Sequence, residues 1–292
     1  MDDGARARSL LSQTKDLLRR AGLHARKGLG QHFLVDGGYL KYILEAAELG
    51  ELDTVIEVGP GLGTLTRALG ERAGRVVAIE KDEHLSGVLR ETISAANVTV
   101  LNEDILKMNL PLILRQHVTG NPIRYKVVAN LPYYITSPVL RFFLEAEIKP
   151  QRLVVMVQKE VARQITAKPG GMSLLSIAVQ LYGEPRIVKY VPARAFYPPP
   201  DVDSAILRVD VFPQPKVDVE TGSFFTVVRA GFSAARKQIA NSISHRLDLP
   251  KEEVQRMLAR ASIEPQRRAE TLSIEEWGKL WKEYTKALHT EA

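Results

Sequence analysis

The chain has 292 residues, of which 45% are hydrophobic and 25% are charged, a globular composition with enough length for two domains. It contains no run near the ~20 apolar residues of a membrane-spanning helix, and the absence of cysteine excludes disulfide bonds, thiolate zinc sites and cysteine nucleophiles. A net charge of +6 at pH 7 and a pI of about 9.4 are compatible with a polyanionic partner such as nucleic acid.

The N-terminal segment has no features of a secretory or organelle-targeting sequence. Residues 1–30 lack the uninterrupted apolar run of a signal peptide, and Asp2, Asp3 and Asp16 are atypical of a transit peptide. We therefore expect a cytoplasmic protein. The first predicted helix covers Ser9–Ala21 and ends at Gly22, because glycine readily adopts the left-handed conformation that closes helices.

Short β-branched runs alternate with amphipathic stretches through the middle of the chain. The runs are Thr54–Val58, Arg75–Glu80, Val98–Asn102, Tyr125–Ala129 and Arg152–Gln158, and the stretches between them include Leu62–Ala73 and Asp82–Ala95. This alternation predicts an α/β fold, with a mostly parallel sheet covered by helices on both faces. The later runs Arg186–Val191 and Ser204–Val211 have no long helix between them and predict an antiparallel pair that ends the sheet.

Beyond Pro213 and Pro215 only helical spacing remains. The predicted helices are Ser223–Arg229, Ala234–His245, Lys251–Ala261 and Ile274–His289. We therefore predict two domains, a larger catalytic α/β domain over residues 1–212 and a small all-helical domain over residues 213–292.

A glycine-rich segment, Glu57–Gly63, ends the Thr54–Val58 run and opens a helix. Glycine at such a turn lets the backbone approach a ligand closely. Gly59, Gly61 and Gly63 alternate with other residues and do not follow the Gly-x-Gly-x-x-Gly spacing of a dinucleotide-binding loop. The spacing therefore argues against a nicotinamide-dependent dehydrogenase.

Acidic residues stand at the carboxyl ends of three successive predicted strands: Glu57, Glu80 and Asp104. Open α/β sheets bind ligands at this edge. Glu80 suits the hydroxyls of a ribose, Asp104 suits an adenine amino group, and Ile105 can pack on the adenine ring. The pattern resembles the Rossmann-like S-adenosylmethionine-dependent methyltransferases, whose cationic sulfonium cofactor suits acidic surroundings.

The segment Asn130–Tyr133 follows the fourth run and resembles the Asn-x-Pro-Tyr signature of methyltransferases that act on exocyclic amino groups of nucleobases. The Asn130 side-chain oxygen and the Leu131 carbonyl can accept hydrogen bonds from adenine N6 and so free its delocalised lone pair. Pro132 keeps that carbonyl directed inward, and Tyr133 offers a ring on which the base can stack. The enzyme's task is then positioning, with no need for a general base or a metal.

Four motifs occur together in order: Gly30–Leu34, Glu57–Gly63, Asn130–Tyr134 and Phe196–Ser204. From about residue 23 to the C-terminal helices the chain resembles the KsgA-type ribosomal RNA small-subunit adenine N6,N6-dimethyltransferases. The resemblance implies transfer of two methyl groups from S-adenosyl-L-methionine to N6 of each of two adjacent adenosines. It places these in the 3′-terminal hairpin loop of 16S rRNA in an assembling 30S particle, with S-adenosyl-L-homocysteine as product. It implies no metal and no membrane partner, and we expect a monomer.

The resemblance also implies residue roles. The cofactor-binding positions are His32, Leu34, Gly59, Gly61, Glu80, Asp104 and Asn130. The positions at the target adenine are Asn130, Leu131, Pro132, Tyr133 and Phe196, the last against the other face of the base.

Three positions depart from the family pattern. His32 stands where the family usually has asparagine, Lys168–Ser173 replaces a Tyr-Gly pair, and Ala235 replaces the first arginine of a Phe-x-x-Arg-Arg-Lys run. Arg236 and Lys237 remain from that run. The candidate RNA contacts are Arg26, Lys27, Arg236, Lys237, Arg267 and Arg268.

Two other functions remain open at this point. A macrolide-resistance methylase that acts on large-subunit rRNA would share the fold and the Asn-x-Pro-Tyr chemistry, but the context of Leu131, Tyr134–Pro138 and Phe196–Ser204 favours the small-subunit enzymes. An RNA-binding assembly or transcription factor on the same fold is the second alternative. The presence of the implied cofactor residues disfavours it.

Overall fold

The structure, a computed structural model, describes residues 9–23, 30–118, 120–234 and 236–290. The chain packs into two compact units. The first comprises residues up to Ala162 together with Arg186–Val211, and the second comprises Arg163–Pro185 and Phe212–Ala292. Arg163–Pro185 thus packs with the C-terminal helices, whereas the predicted division keeps this segment in the larger domain; the domain boundary at residue 212 stays a prediction.

A seven-stranded sheet forms the centre of the first unit. Its strands in chain order are β2 (Thr54–Val58), β3 (Arg75–Glu80), β4 (Val98–Asn102), β5 (Lys126–Asn130), β6 (Arg152–Gln158), β7 (Gly183–Val191) and β9 (Ser204–Val211). The spatial order is β4-β3-β2-β5-β6-β9-β7. Neighbours from β4 to β6 are parallel, and β9 runs antiparallel to β6. The strand order reverses between β2 and β5, which makes their carboxyl ends a topological switch point where α/β sheets bind ligands.

The predicted strands agree closely with this sheet. Four of the five central runs have the predicted bounds, and the two later runs are the neighbouring strands β9 and β7. The fourth run, predicted as Tyr125–Ala129, is shifted by one residue in β5, because Asn130 still pairs with Met156 of β6. β2 is buried along its whole length, as expected for a central parallel strand covered on both faces.

A separate two-stranded ribbon joins the N-terminal segment to the segment before β9. It pairs β1 (Phe33–Leu34) with β8 (Phe196–Tyr197) in antiparallel register, so that Leu34 lies opposite Phe196. Both residues are buried in the apolar core that also includes Val55 of β2. The ribbon therefore fixes two of the four sequence motifs to each other.

Side-chain caps define where the helices of the first unit begin. The helices are α1 (Leu10–Arg20), α2 (Gly37–Ala47), α3 (Thr64–Gly70), α4 (Glu83–Thr92), α5 (Leu110–His117), α6 (Thr136–Leu144) and α7 (Lys159–Ile165), the last continuing into the second unit. Ser9 accepts a hydrogen bond from the Ser12 amide at the start of α1, and Asp82 accepts from two amides of α4. These caps explain why the predicted α1 and α4 begin where they do.

The second unit is helical, with α8 (Leu174–Gln180), α9 (Thr221–Gly231), α10 (Ile239–Leu247), α11 (Lys251–Arg260) and α12 (Ile274–Thr290). Trp277 is fully buried, and its ring stacks on Phe232 with centroids 5.7 Å apart. The predicted start of a helix at Ala234 is wrong: α10 begins at Ile239, whose amide donates to the Arg267 carbonyl at 2.8 Å. The residues just before it turn instead, with the Lys237 amide donating to the Ala234 carbonyl. No helix in the described parts of the chain has both the length and the apolar character needed to cross a bilayer.

Candidate active site

A cavity of about 520 Å³ lies at the carboxyl ends of β2, β3, β4 and β5, at the switch point of the sheet. All of its lining residues belong to the first unit. They come from the N-terminal segment Gly30–Leu34, the glycine-rich loop after β2, the ends of β3 and β4, and the segment after β5. Three of the four sequence motifs therefore converge on one cavity, although they are far apart in the chain, and no residue of the fourth motif, Phe196–Ser204, lines it.

The backbone conformation of the glycine-rich loop disfavours side chains at Gly59 and Gly61. Gly59 and Gly61 have φ angles of 66° and 58°, which L-residues with side chains rarely adopt. A Cβ atom on Gly61 would lie 2.9 Å from the Phe33 ring, and one on Gly59 would lie 3.5 Å from Pro132 Cδ. The loop is thus a backbone cradle between the N-terminal segment and the segment after β5.

Glu80 ties the end of β3 to this cradle. Its Oε2 accepts from the Gly61 amide at 3.1 Å and its Oε1 accepts from the Asp82 amide at 2.9 Å. Burial raises the pKa of Glu80, against the opposing effect of these two hydrogen bonds. Each carboxylate oxygen has a further lone pair, so Glu80 can also accept from the hydroxyls of a ligand.

Glu57 is a second buried carboxyl group in the cavity wall; the sequence analysis placed it at the ligand-binding edge but did not include it among the cofactor-binding residues. Its side chain is 1% exposed, and its Oε2 has no hydrogen-bond partner among the described residues. Burial, with a smaller contribution from the Glu80 carboxylate, raises the pKa of Glu57 to about 8. At neutral pH the group is therefore mostly protonated. The sequence signal was present, since Glu57 directly precedes the glycine-rich loop.

Asp104 lines the cavity beyond β4 and forms an ion pair that the sequence did not indicate. Its Oδ2 lies 3.0 Å from the Lys81 ammonium, and its Oδ1 accepts from the Leu106 amide at 3.1 Å. Burial opposes ionisation, but these contacts outweigh it and hold the pKa of Asp104 below its ordinary value. Ile105 is buried and also lines the cavity, and its packing on an adenine ring stays a prediction.

Asn130 lies at the end of β5, and its orientation is fixed from the N-terminal segment. Its Nδ2 donates to the His32 carbonyl at 3.0 Å. Because the amide nitrogen is used there, the amide oxygen Oδ1 is the atom that can accept from a ligand. The Leu131 side chain is buried, and Pro132 lines the cavity with a φ of −57°.

Tyr133 is held at its hydroxyl end and along its ring. The hydroxyl forms a 2.6 Å hydrogen bond with Ser204 Oγ, and Ser204 is fully buried. The ring stacks on the His32 imidazole, with centroids 6.0 Å apart and planes inclined by 22°. Burial raises the pKa of the Tyr133 phenol. The next residue, Tyr134, is 65% exposed and lines the cavity.

Of the remaining predicted site residues, two line the cavity and one is buried in the core. His32 and Leu34 line the cavity. Phe196 is 3% exposed, packs in the apolar core next to Leu34 and is not among the lining residues. Its contact with a base stays a prediction, and it requires the ring to become accessible.

The candidate RNA-contacting residues have different surroundings. Arg236 and Lys237 are exposed just before α10. Arg267 pairs with Glu276 within the second unit, and Arg268 lies 3.9 Å from Glu270. Arg267 is therefore committed to holding its own unit together. Arg26, Lys27 and Ala235 lie outside the described residues. Across the residues that the structure describes, no cluster of three or more acidic or histidine side chains is arranged to hold a metal ion.

The switch-point cavity, the backbone cradle and the acidic strand ends define a protein of the S-adenosylmethionine-dependent methyltransferase class. Comparison with known proteins gives the particular family. The chain belongs to the ribosomal RNA adenine dimethylase family, whose model matches residues 22–286.

Relatives in several bacteria are similar to almost the whole chain. A protein of Dehalococcoides mccartyi named ribosomal RNA small subunit methyltransferase A is 52% identical over 280 residues, which is 95% of this chain and 94% of that protein. A protein of the same name from Bacillus cytotoxicus is 43% identical over 277 residues, covering 92% and 94%.

Two solved structures share the fold over most of the chain. The 23S rRNA methyltransferase ErmE is 30% identical, with a TM-score of 0.67 and coverage of 86% of this chain and 98% of that one. A dimethyladenosine transferase from Plasmodium falciparum has a TM-score of 0.73 at 24% identity, with coverage of 87% and 98%, and so bears on the fold alone.

Proposed function

We propose that the protein transfers methyl groups from S-adenosylmethionine to N6 of two adjacent adenosines in the 3′-terminal hairpin loop of 16S rRNA, giving N6,N6-dimethyladenosine. The observation that carries this proposal is the Asn130 amide at the edge of the cavity. Its nitrogen is engaged by the His32 carbonyl, which leaves its oxygen to accept from an exocyclic amine. Membership of the adenine dimethylase family supports the same substrate.

The cavity suits the cofactor in size and chemistry. S-adenosylmethionine, when bound, supplies an electrophilic methyl group on a cationic sulfonium. The Glu80 carboxyl would accept from the ribose hydroxyls, the ionised Asp104 would accept from the adenine amino group, and Ile105 would pack on the adenine ring. The backbone cradle at Gly59 and Gly61 permits the close approach that such a ligand needs.

The residues after β5 would align the target amine. Asn130 Oδ1 and the Leu131 carbonyl accept its two N–H groups, which draws the nitrogen toward tetrahedral geometry and frees its lone pair. Tyr133, held by Ser204 and His32, offers a stacking surface worth ~1–3 kcal/mol. The proton is lost readily from the alkylated nitrogen, so the residues need only to position the amine.

The remaining parts of the proposal concern the partner and the assembly. Arg236 and Lys237 are exposed and without an ion-pair partner among the described residues, which supports a role in contacting RNA phosphates. The proposal includes action as a monomer. The proposed setting is an assembling small-subunit particle in the cytoplasm.

The test uses purified protein, labelled S-adenosylmethionine and small subunits that lack the modification, with large-subunit RNA as the parallel substrate. Modified nucleosides are mapped by mass spectrometry. Dimethyladenosine at two adjacent positions near the 3′ end of 16S rRNA is the expected result, and it should be absent with Asn130→Ala. Label confined to large-subunit RNA would support the resistance-methylase alternative. Cofactor binding without transfer to either RNA would support a binding factor.

A further inference from the structure

His32 is contacted by two other segments of the first unit, at three separate points. Its backbone carbonyl accepts from Asn130 Nδ2 at 3.0 Å, and its ring stacks on Tyr133. Its ring nitrogen Nδ1 lies 2.8 Å from the carbonyl oxygen of Pro198, just after β8. The residue therefore links the N-terminal segment to the segment after β5 and to the proline-rich segment before β9.

The contact with Pro198 fixes the tautomer of the His32 ring. A carbonyl oxygen can only accept a hydrogen bond, so Nδ1 must be the donor. In the neutral ring the proton therefore resides on Nδ1, and the lone pair is on Nε2. This hydrogen bond also fixes the plane of the imidazole that lies against Tyr133.

Tyr133 is consequently restrained from two directions. Ser204 holds its hydroxyl, and the His32 ring limits rotation of its ring. Both restraints depend on the segment between Phe196 and Ser204, since Pro198 anchors His32 and Ser204 anchors Tyr133 directly. This gives that segment a role in the site even though the Phe196 ring is buried away from the cavity.

We propose that the His32 imidazole is a positioning residue for the target base, which acts by holding the Tyr133 ring in the plane where the adenine stacks. The inference rests on the proposed function, because it requires a base as substrate. His32 lines the cavity, and its ring contacts Tyr133 and Pro198. The proposal assigns the imidazole to positioning Tyr133, whereas the family resemblance implies a contact with the cofactor.

The positioning role has a particular consequence for the second methyl transfer. The unmodified amine offers two N–H groups to Asn130 and Leu131, but the monomethylated amine offers only one. Stacking on Tyr133 must then supply more of the alignment. Loss of the His32 ring should slow the second transfer more than the first, and monomethyladenosine should accumulate.

Three substitutions separate the contacts of the imidazole while keeping the backbone carbonyl that holds Asn130. His32→Ala removes both the ring and the donor, His32→Phe keeps a ring without the donor, and His32→Asn keeps a donor without the ring. His117→Ala, on α5 and outside the cavity lining, is the matched control. Each variant is assayed for kcat and KM on small subunits, the ratio of mono- to dimethyladenosine, the cofactor Kd and the unfolding temperature.

A displacement of about 1 Å in a reacting group can cost about 100-fold in rate. His32→Ala should therefore lower kcat by roughly 10- to 100-fold and raise the monomethyl fraction, with the cofactor Kd unchanged within about twofold. The phenylalanine and asparagine variants should fall between His32→Ala and the wild type. Wild-type turnover and methylation pattern in His32→Ala would overturn the proposal. So would a cofactor Kd that rises in step with the loss of turnover.

Long-range ¹⁵N–¹H correlation spectra of the full chain labelled in histidine give a test that does not depend on activity. The His32 signal, assigned by its loss in His32→Asn, should show the Nδ1-protonated tautomer, and the Nε2-protonated tautomer would contradict the anchoring by Pro198. This measurement also carries the test if His32→Ala does not fold. If the wild type methylates no small-subunit adenosine while the tautomer is as expected, the proposed function fails and the base-positioning role fails with it. If the wild type dimethylates and His32→Ala does the same, only the positioning role fails.

Discussion

Replacing Glu57 by glutamine should change how the stability of the first unit depends on pH. The carboxyl group is 1% exposed, one oxygen lacks a partner among the described residues, and burial raises its pKa from 4.5 to about 8. Glutamine has nearly the same shape but never ionises. The comparison therefore isolates the cost of the buried charge.

The direction of the effect follows from the two pKa values. Between about pH 4.5 and pH 8 the folded protein retains a proton that the unfolded chain has released, so the stability of the folded state falls as the pH rises. One pKa unit corresponds to about 1.4 kcal/mol, so the contribution of Glu57 should decrease by about 4 kcal/mol from pH 5 to pH 8. Glu57→Gln should have stability close to that of the wild type at pH 5 and be more stable by several kcal/mol at pH 8.

The assay has to report on the first unit. Both tryptophans of the chain, Trp277 and Trp281, lie on α12 of the second unit, so tryptophan fluorescence would follow the wrong part of the molecule. Amide hydrogen exchange of peptides from β2 and β3, measured at pH 5, 6, 7 and 8 and corrected for intrinsic exchange, follows opening of the sheet. Glu71→Gln, on the exposed C-cap of α3, is the control for a change of charge alone. Equal pH dependence in the wild type and Glu57→Gln would refute the reasoning.

Three further substitutions separate the two halves of the site. Asn130→Ala should reduce kcat by about 100-fold or more, because the target amine loses an acceptor directed at it. Calorimetry should show that the variant retains most of its affinity for the cofactor. Near-wild-type turnover would contradict the role of Asn130. Glu80→Ala should raise the cofactor Kd by about tenfold or more, since two hydrogen bonds to hydroxyls are worth ~0.5–1.5 kcal/mol each; an unchanged Kd would count against the assignment. Gly61→Ala should also weaken cofactor binding and lower the unfolding temperature. The new Cβ would lie 2.9 Å from the Phe33 ring, and the φ of 58° is unfavourable for alanine. Wild-type values of the cofactor Kd and the unfolding temperature would show that the loop adapts.

The sequence predicted the parts of the molecule that depend on local pattern. β2, β3 and β6 have the predicted bounds because buried strands form apolar, β-branched runs between turn signals. β4, a partly buried edge strand, also has the predicted bounds. Glu80 and Asn130 were predicted at the cavity because the carboxyl ends of parallel strands share one edge. The misplaced start of α10 has a tertiary cause. The amide of Ile239 bonds to the Arg267 carbonyl, and no helical periodicity reports such a contact.

Contacts between distant segments could not be predicted in the same way. Lys81 with Asp104, and Tyr133 with Ser204, become neighbours only when the sheet forms. An exposed lysine and a buried serine carry no signal of a partner in a single sequence. The burial of Phe196 likewise follows from its pairing with β1, a two-residue strand too short to produce an alternating pattern.

The cofactor half and the target-amine half of the proposed site are positioned by different strands. Glu57, Glu80 and Asp104 lie at or just beyond the carboxyl ends of β2, β3 and β4, whereas Asn130 ends β5 and Tyr133 follows it. Ser204, the first residue of β9, holds the Tyr133 hydroxyl. The halves meet at the switch point, and the N-terminal segment contacts both: Phe33 lies over Gly61, and His32 holds Asn130. Because the N-terminal segment contacts both halves, we expect a shift of this segment to change cofactor binding and the alignment of the target amine together. The N-terminal motif is therefore the segment that connects the cofactor half of the site to the target-base half. It does so although it contributes only a two-residue strand to the fold.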